Sequence, residues 1–213
     1  MNQPLGAQRK GNFFQETHLM MAASACLWYL SFDISTYAYA YSRDIILKMM
    51  RIALLHLAPI PGDLTQNRQL LERAIATAAE AGVSWILAPE LAVCGYTFID
   101  TIGTDWIMPQ PDLWMTRICQ LAARMQVTIF LSHPERDPRS NSLHNSVFVI
   151  TPNGAIAGRH RKINLLPTGP ESWATPGNHV SPVSVPPFSD VGISSVLTRA
   201  RRLGTGLSWS EWG

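Results

Sequence analysis

The chain has 213 residues, is 46% hydrophobic and 15% charged, and carries a formal net charge of +2. That length is enough for one domain of ordinary size with a substantial core. Its lysines and arginines are spread along the sequence without a basic stripe or interleaved aromatics, which argues against a nucleic-acid partner. Its three cysteines follow no disulfide pattern and fit a reducing, cytoplasmic setting.

Residues 1–49 form a leader unlike the rest of the chain in pattern. Its one apolar run, residues 19–32, falls short of the about 20 residues that a membrane span needs, so no membrane association is expected. Arg9 and Lys10 before the run and Ala38-Tyr39-Ala40 after it are compatible with a signal-peptide core. The doublet Met49-Met50, directly before the first strand, favours a misassigned start and a disordered leader over a signal.

Residues 50–193 alternate regularly. Residues 51–57 are mostly apolar and read as a strand buried on both faces. Pro59 to Asp63 is a turn, and Asp63 or Thr65 caps a helix. In that helix Leu64, Leu70, Leu71, Ala74, Ile75, Ala78 and Ala79 form one apolar face. Gly82 closes it, and residues 83–88 are a second strand with Glu90 just past its end. Residues 112–126 repeat the amphipathic pattern, and residues 127–131 are a third strand. Residues 145–151 and 155–160 flank Pro152-Asn153-Gly154, a hairpin signal. The order strand, helix, strand, helix, strand, hairpin implies an α/β layered domain.

Residues 194–213 break this pattern. Val191-Gly192-Ile193 opens like a buried strand, but the stretch after it has no clean period and becomes rich in Gly, Ser and Trp. The expectation is an aberrant tail arising from a reading-frame change or truncation near Ile193.

Two blocks carry chemistry. Glu90 stands at the C-terminal end of a buried strand, beside the turn Cys94-Gly95-Tyr96, which is where α/β folds place ligands. Partial burial would suit it to act as a general base. Lys162, in Arg161-Lys162-Ile163-Asn164-Leu165, can offer a held ammonium to a developing oxyanion. Glu171, nine residues later in a loop between Pro170 and Trp173, can pair with Lys162 and keep it charged. The histidines (His18, His56, His133, His144, His160 and His179) show no metal-ligand spacing, so neither a metal nor an organic cofactor is expected.

The combination resembles the nitrilase superfamily, the carbon–nitrogen hydrolases that include nitrilases, aliphatic amidases and N-carbamoyl amino acid hydrolases. The resemblance rests on the opening strand at Met50-Arg51-Ile52, on Pro89-Glu90-Leu91 with Gly95-Tyr96, and on Asn145-Ser146 with Gly154. It continues through the Arg161-Lys162-x-x-Leu165 block and Glu171-x-Trp173 with Pro176-Gly177. It implies an α-β-β-α sandwich, here incomplete at the C-terminus, and a Glu–Lys–Cys mechanism acting on a small amide, nitrile or N-carbamoyl substrate. Glu90 would be the general base, Lys162 the stabiliser of the tetrahedral intermediate and Glu171 the supporting carboxylate. A homo-oligomer is expected only of the complete protein.

One element of that mechanism is missing from the sequence. The family's cysteine should lie on the strand opened by Val191-Gly192-Ile193, where this chain has Ser194-Ser195-Val196. Cys26, Cys94 and Cys119 all precede Lys162, and neither Ser194 nor Ser195 sits in a Gly-x-Ser-x-Gly elbow. The chain is therefore expected to be inactive as written. The competing expectation is a non-catalytic relative that binds an amide-like ligand or a protein partner.

Overall fold

The computed structural model describes residues 28–31, 50–166 and 168–195. In chain order the elements are β1 (Trp28–Ser31), β2 (Ile52–Leu54), α1 (Leu64–Glu80), β3 (Trp85–Leu87), α2 (Ile99–Ile102), α3 (Leu113–Met125), β4 (Thr128–Arg136), β5 (Leu143–Ile150), β6 (Ile156–Arg161), β7 (Val183–Val185) and β8 (Phe188–Ser195). Both long helices start at acidic caps. Asp63 accepts from the Gln66 N–H at 2.9 Å and Asp112 from the Met115 N–H at 2.7 Å, each satisfying a donor that the first turn leaves open. Helix α1 ends into Gly82, whose φ of +76° suits a residue without Cβ.

Five strands form one sheet in the order β2-β3-β4-β5-β6 and three form another in the order β1-β8-β7. Strands β2, β3 and β4 are parallel, joined by crossovers that contain α1 and α3, while β4, β5 and β6 are antiparallel. Side chains alternate between the faces of the large sheet. Ile86, Ile129, Leu131, Phe148 and Ile150 pack against Leu71 and Ile75 of α1 and Trp114, Met115, Ile118 and Ala122 of α3. Trp85, Phe130, Val147 and Val149 face the other way and pack against Val183, Val185, Val191 and Ile193 of the small sheet. The described residues thus supply a helix layer and two sheet layers. Burial contributes about 1.5–3 kcal/mol for each large apolar side chain and makes this layering the main source of stability.

Several elements differ from the sequence reading. Strand β2 is shorter than expected and is not buried on both faces, since Ile52 and Leu54 are 41% and 50% exposed. Among the described residues it is an edge strand, and the packing between sheets reaches its register partners Trp85 and Leu87 without covering Ile52 and Leu54. Strand β4 runs five residues past the expected Leu131, because β5 pairs with it as far as Arg136. Pro134 fits there because β3 pairs with β4 only as far as Phe130, leaving that side without a ladder. Within the span read as a leader, Trp28–Ser31 form a strand antiparallel to β8, and β8 itself continues to Ser195, inside the span read as a tail. The other residues of those two spans, Cys26 among them, lie outside the described residues.

Candidate active site

Glu90 leaves the end of β3, whose ladder continues through the Ala88 N–H to the Phe130 carbonyl at 2.9 Å. The turn behind it is core rather than surface: Leu91, Ala92, Val93 and Cys94 are all buried. Leu91 has φ of +52° and donates its N–H to Ser132 Oγ at 2.9 Å, which anchors the turn to β4. Lys162 directly follows β6. Its N–H donates to the Asn145 carbonyl at 2.8 Å, and its own carbonyl accepts from the Gly177 N–H at 2.9 Å. A Cβ on Gly177 would lie 2.4 Å from the Arg161 carbonyl oxygen, so only glycine lets the returning strap lie this close to the lysine. Glu171 is fully buried in its loop, and its Oε2 accepts from the Leu166 N–H at 3.0 Å. Trp173 holds the loop against the core by an edge-on contact with Phe98, 5.2 Å between centroids.

These three segments bring the three charged groups together. Lys162 Nζ lies 2.9 Å from Glu90 Oε1 and 2.5 Å from Glu171 Oε1, with the side chains 3%, 4% and 0% exposed for Lys162, Glu90 and Glu171. Asn145 completes the cluster, its Nδ2 donating to the same two oxygens at 2.8 and 3.1 Å. Burial by itself would lower the Lys162 pKa. The negative charge of Glu90, with the hydrogen bonds to Glu171 and Glu90, outweighs it and holds the pKa above the ordinary lysine value. The ammonium therefore stays charged at neutral pH. It can stabilise negative charge but cannot accept a proton, which leaves proton transfer to the carboxylates.

The cysteines within the described residues do not supply a thiolate. Cys94 donates to the Leu91 carbonyl at 3.5 Å, and burial raises its thiol pKa far out of the physiological range. Cys119, half-buried on α3, is also raised by burial. No group of three His, Cys, Asp or Glu side chains among the described residues is arranged to hold a metal ion.

Sequence reasoning located Glu90, Lys162 and Glu171 but gave no role to Asn145. Its signal was present: an amide in the strand Asn145-Ser146-Val147-Phe148-Val149, at the same parity as Val147 and Val149, which face the interior between the sheets. Ser132, which orients the turn after Glu90, lies just past the strand expected to end at Leu131 and was assigned no role from sequence.

The chain matches the carbon-nitrogen hydrolase family over residues 51–209 and belongs to that family. A probable nitrilase of Schizosaccharomyces pombe is 31% identical over 120 residues, covering 55% of this chain and 44% of that protein. Among solved structures, Saccharomyces cerevisiae Nit3, a member of branch 10 of the nitrilase superfamily, superposes with a TM-score of 0.57 at 18% identity, over 67% of this chain and 53% of its own. An amidase from Nesterenkonia sp. gives 0.52 at 26% identity, over 63% and 51%. The fold is accordingly that of the nitrilase-type α-β-β-α sandwich. The chain spans about half the length of these relatives.

Proposed function

We propose that this chain carries the acid–base and electrostatic half of a site for hydrolysing non-peptide carbon–nitrogen bonds in a small amide, nitrile or N-carbamoyl substrate. The observation that carries this reading is the buried ammonium of Lys162 held between Glu90 and Glu171. In the reaction, Glu90 takes the proton of a cysteine thiol as sulfur attacks the substrate carbon, and Lys162 stabilises the charge that develops on the substrate heteroatom. Glu90 then returns the proton to the departing ammonia or amine, or, for a nitrile, to the nitrogen of the thioimidate, to which a first water adds before ammonia leaves and the thioester forms. Water, deprotonated by the same carboxylate, cleaves the thioester and regenerates the thiol. Glu171 keeps Lys162 charged and in place throughout.

The nucleophile belongs, in this reading, to the strand opened by Val191-Gly192-Ile193, where this chain has Ser194-Ser195, and without a cysteine there the chain is inactive. In this reading the hydrolase unit takes in Trp28–Ser31, which pairs with β8, and runs from residue 50 through Ser195. The protein works in the cytoplasm without a metal or organic cofactor. The test is ammonia release from the chain with short aliphatic amides, nitriles and N-carbamoyl amino acids. We expect no release above background. A rate that Glu90→Gln abolishes would overturn the inactivity and show that another group serves as nucleophile. Calorimetric binding of butyramide without turnover, lost in Lys162→Met, would favour a ligand-binding relative.

A further inference from the structure

A third buried carboxylate lies on the other side of the sheet from the two of the candidate site. Glu135 of β4 is fully buried. Its Oε1 accepts from Ser146 Oγ at 2.8 Å and from Arg161 Nε at 2.7 Å, and its Oε2 accepts from an Arg159 guanidinium nitrogen at 2.7 Å. Arg161 also reaches Asp137, two residues further along the chain, at 2.8 Å. One carboxylate thus ties β4, β5 and β6 together.

The residues it holds are the immediate neighbours of the site. Ser146 and Arg161 are direct register partners across β5 and β6. Asn145 precedes one and Lys162 follows the other, and the Lys162 N–H donates to the Asn145 carbonyl. Successive side chains on a strand point to opposite faces, so holding Ser146 and Arg161 on one face sets where Asn145 and Lys162 emerge on the other. The hairpin turn does not set this register unaided, because the β5–β6 pairing shifts between Val149 and Ile150. A slip of one residue at the far end would carry Lys162 to the wrong face. Apolar residues can replace a buried ion pair with little loss of stability, and the best-attested use of such a pair is to specify register.

We propose that Glu135 is a positioning residue, pinning the ends of β5 and β6 so that Lys162 and Asn145 converge on Glu90 and Glu171. This rests on the reading of Glu90, Lys162 and Glu171 as the site. The chain has only three lysines, Lys10, Lys48 and Lys162, so acetic anhydride trace-labelling followed by peptide mass spectrometry reports Lys162 individually. Only the neutral amine reacts, and the pH profile of labelling therefore reads how firmly the carboxylates hold the ammonium. In Glu135→Gln the Lys162 rate at pH 8 should rise about threefold to tenfold, as its profile moves toward that of an ordinary lysine. Amide exchange over residues 64–80 of α1 should stay unchanged. Glu135→Gln with an unaltered Lys162 profile overturns the proposal, even if the melting temperature falls. Glu90→Gln is the control for the site. If it leaves the Lys162 profile unchanged, the reading of the site fails and this proposal with it. A response to Glu90→Gln but not to Glu135→Gln overturns the proposal alone. Should Glu135→Gln not fold, Ser146→Ala and Arg159→Gln each remove one of the three bonds and should move the profile in the same direction by less; no movement in either overturns the proposal.

Discussion

At the scale of single residues, the candidate site is a problem of buried charge. Two carboxylates and one ammonium are nearly inaccessible to water, and such charges persist only when paired and hydrogen-bonded. Asn145 adds the neutral donor that two carboxylates sharing one cation require. Lys162→Met keeps most of the side-chain volume but leaves Glu90 and Glu171 facing each other with only the amide between them. The expected loss is about 3–5 kcal/mol of folding stability, the usual effect of removing one partner from a buried pair. Converting Glu171 to Gln in the same chain removes one of the two uncompensated charges and their mutual repulsion, so Lys162→Met/Glu171→Gln should be more stable than Lys162→Met alone. Urea titrations of the wild type, the two singles and the double close the cycle. A double variant less stable than Lys162→Met would show that the carboxylate is held by something other than its pairing with the lysine.

At the scale of elements, caps decide where the long helices begin. Asp112 serves α3 twice, accepting the Met115 N–H through one oxygen and lying 3.5 Å from Arg68 of α1 through the other. Asp112→Ala should cost about 1–2 kcal/mol through loss of the cap, with little from the partly exposed ion pair, and Asp112→Asn should restore most of it. Equal denaturation midpoints for the alanine and asparagine variants would refute the cap as the cause. Local signals made both helices legible in sequence: α1 through Asp63, Gly82 and its apolar face, α3 through its amphipathic spacing, in neither case with knowledge of any distant partner. The β5–β6 hairpin was legible through Pro152-Asn153-Gly154 for the same reason. What could not be read depends on distant partners. The segment Leu91 to Cys94 looks like a surface turn until β4 supplies Ser132 and the helix layer covers it. The length of β4 is set by β5, and β7 exists only because β8 pairs with it. Glu90, Lys162 and Glu171 could be located because each stands beside a strand end or in a marked loop. Asn145 and Glu135 sit within strands, where only the three-dimensional pairing shows what they touch.

At the scale of the whole molecule, the described histidines predict how stability varies with pH. His133 is fully buried, stacked on Trp114 with 5.7 Å between centroids and edge-on to Trp106 at 6.2 Å. Burial pushes its pKa down to about 4, against smaller opposing effects from its bond to the Pro134 carbonyl and from the charges of Asp112 and Glu135; Arg68 adds to the lowering. His160, buried on β6, is also pushed down to about 4 by burial, with His179 adding to it. The partly buried His144 moves in the same direction. In each case the unfolded chain binds protons more readily than the folded one between the ordinary value of 6.5 and the lowered value. Stability is therefore complete above pH 6.5 and is lost as pH falls toward 4, by roughly 3 kcal/mol for each of His133 and His160. Asp137, whose pKa is lowered mainly by the Arg139 N–H and by Arg161, adds its loss only below the ordinary carboxylate value of 3.8. The raised pKa of Lys162 has the opposite sign, with its contribution fully present below 10.5 and lost only as pH rises beyond it. The molecule should thus show a plateau of stability from about pH 6.5 to 9, ended on the basic side as the Cys94 thiol ionises in the unfolded chain but not in the folded one, and a histidine-driven decline on the acid side. His133→Phe preserves an aromatic ring between the two tryptophans and removes the titrating group. Its urea midpoint should match the wild type at pH 7.5 and exceed it at pH 4.5, and parallel decline of the two proteins over that range would show that His133 does not take up the proton on unfolding.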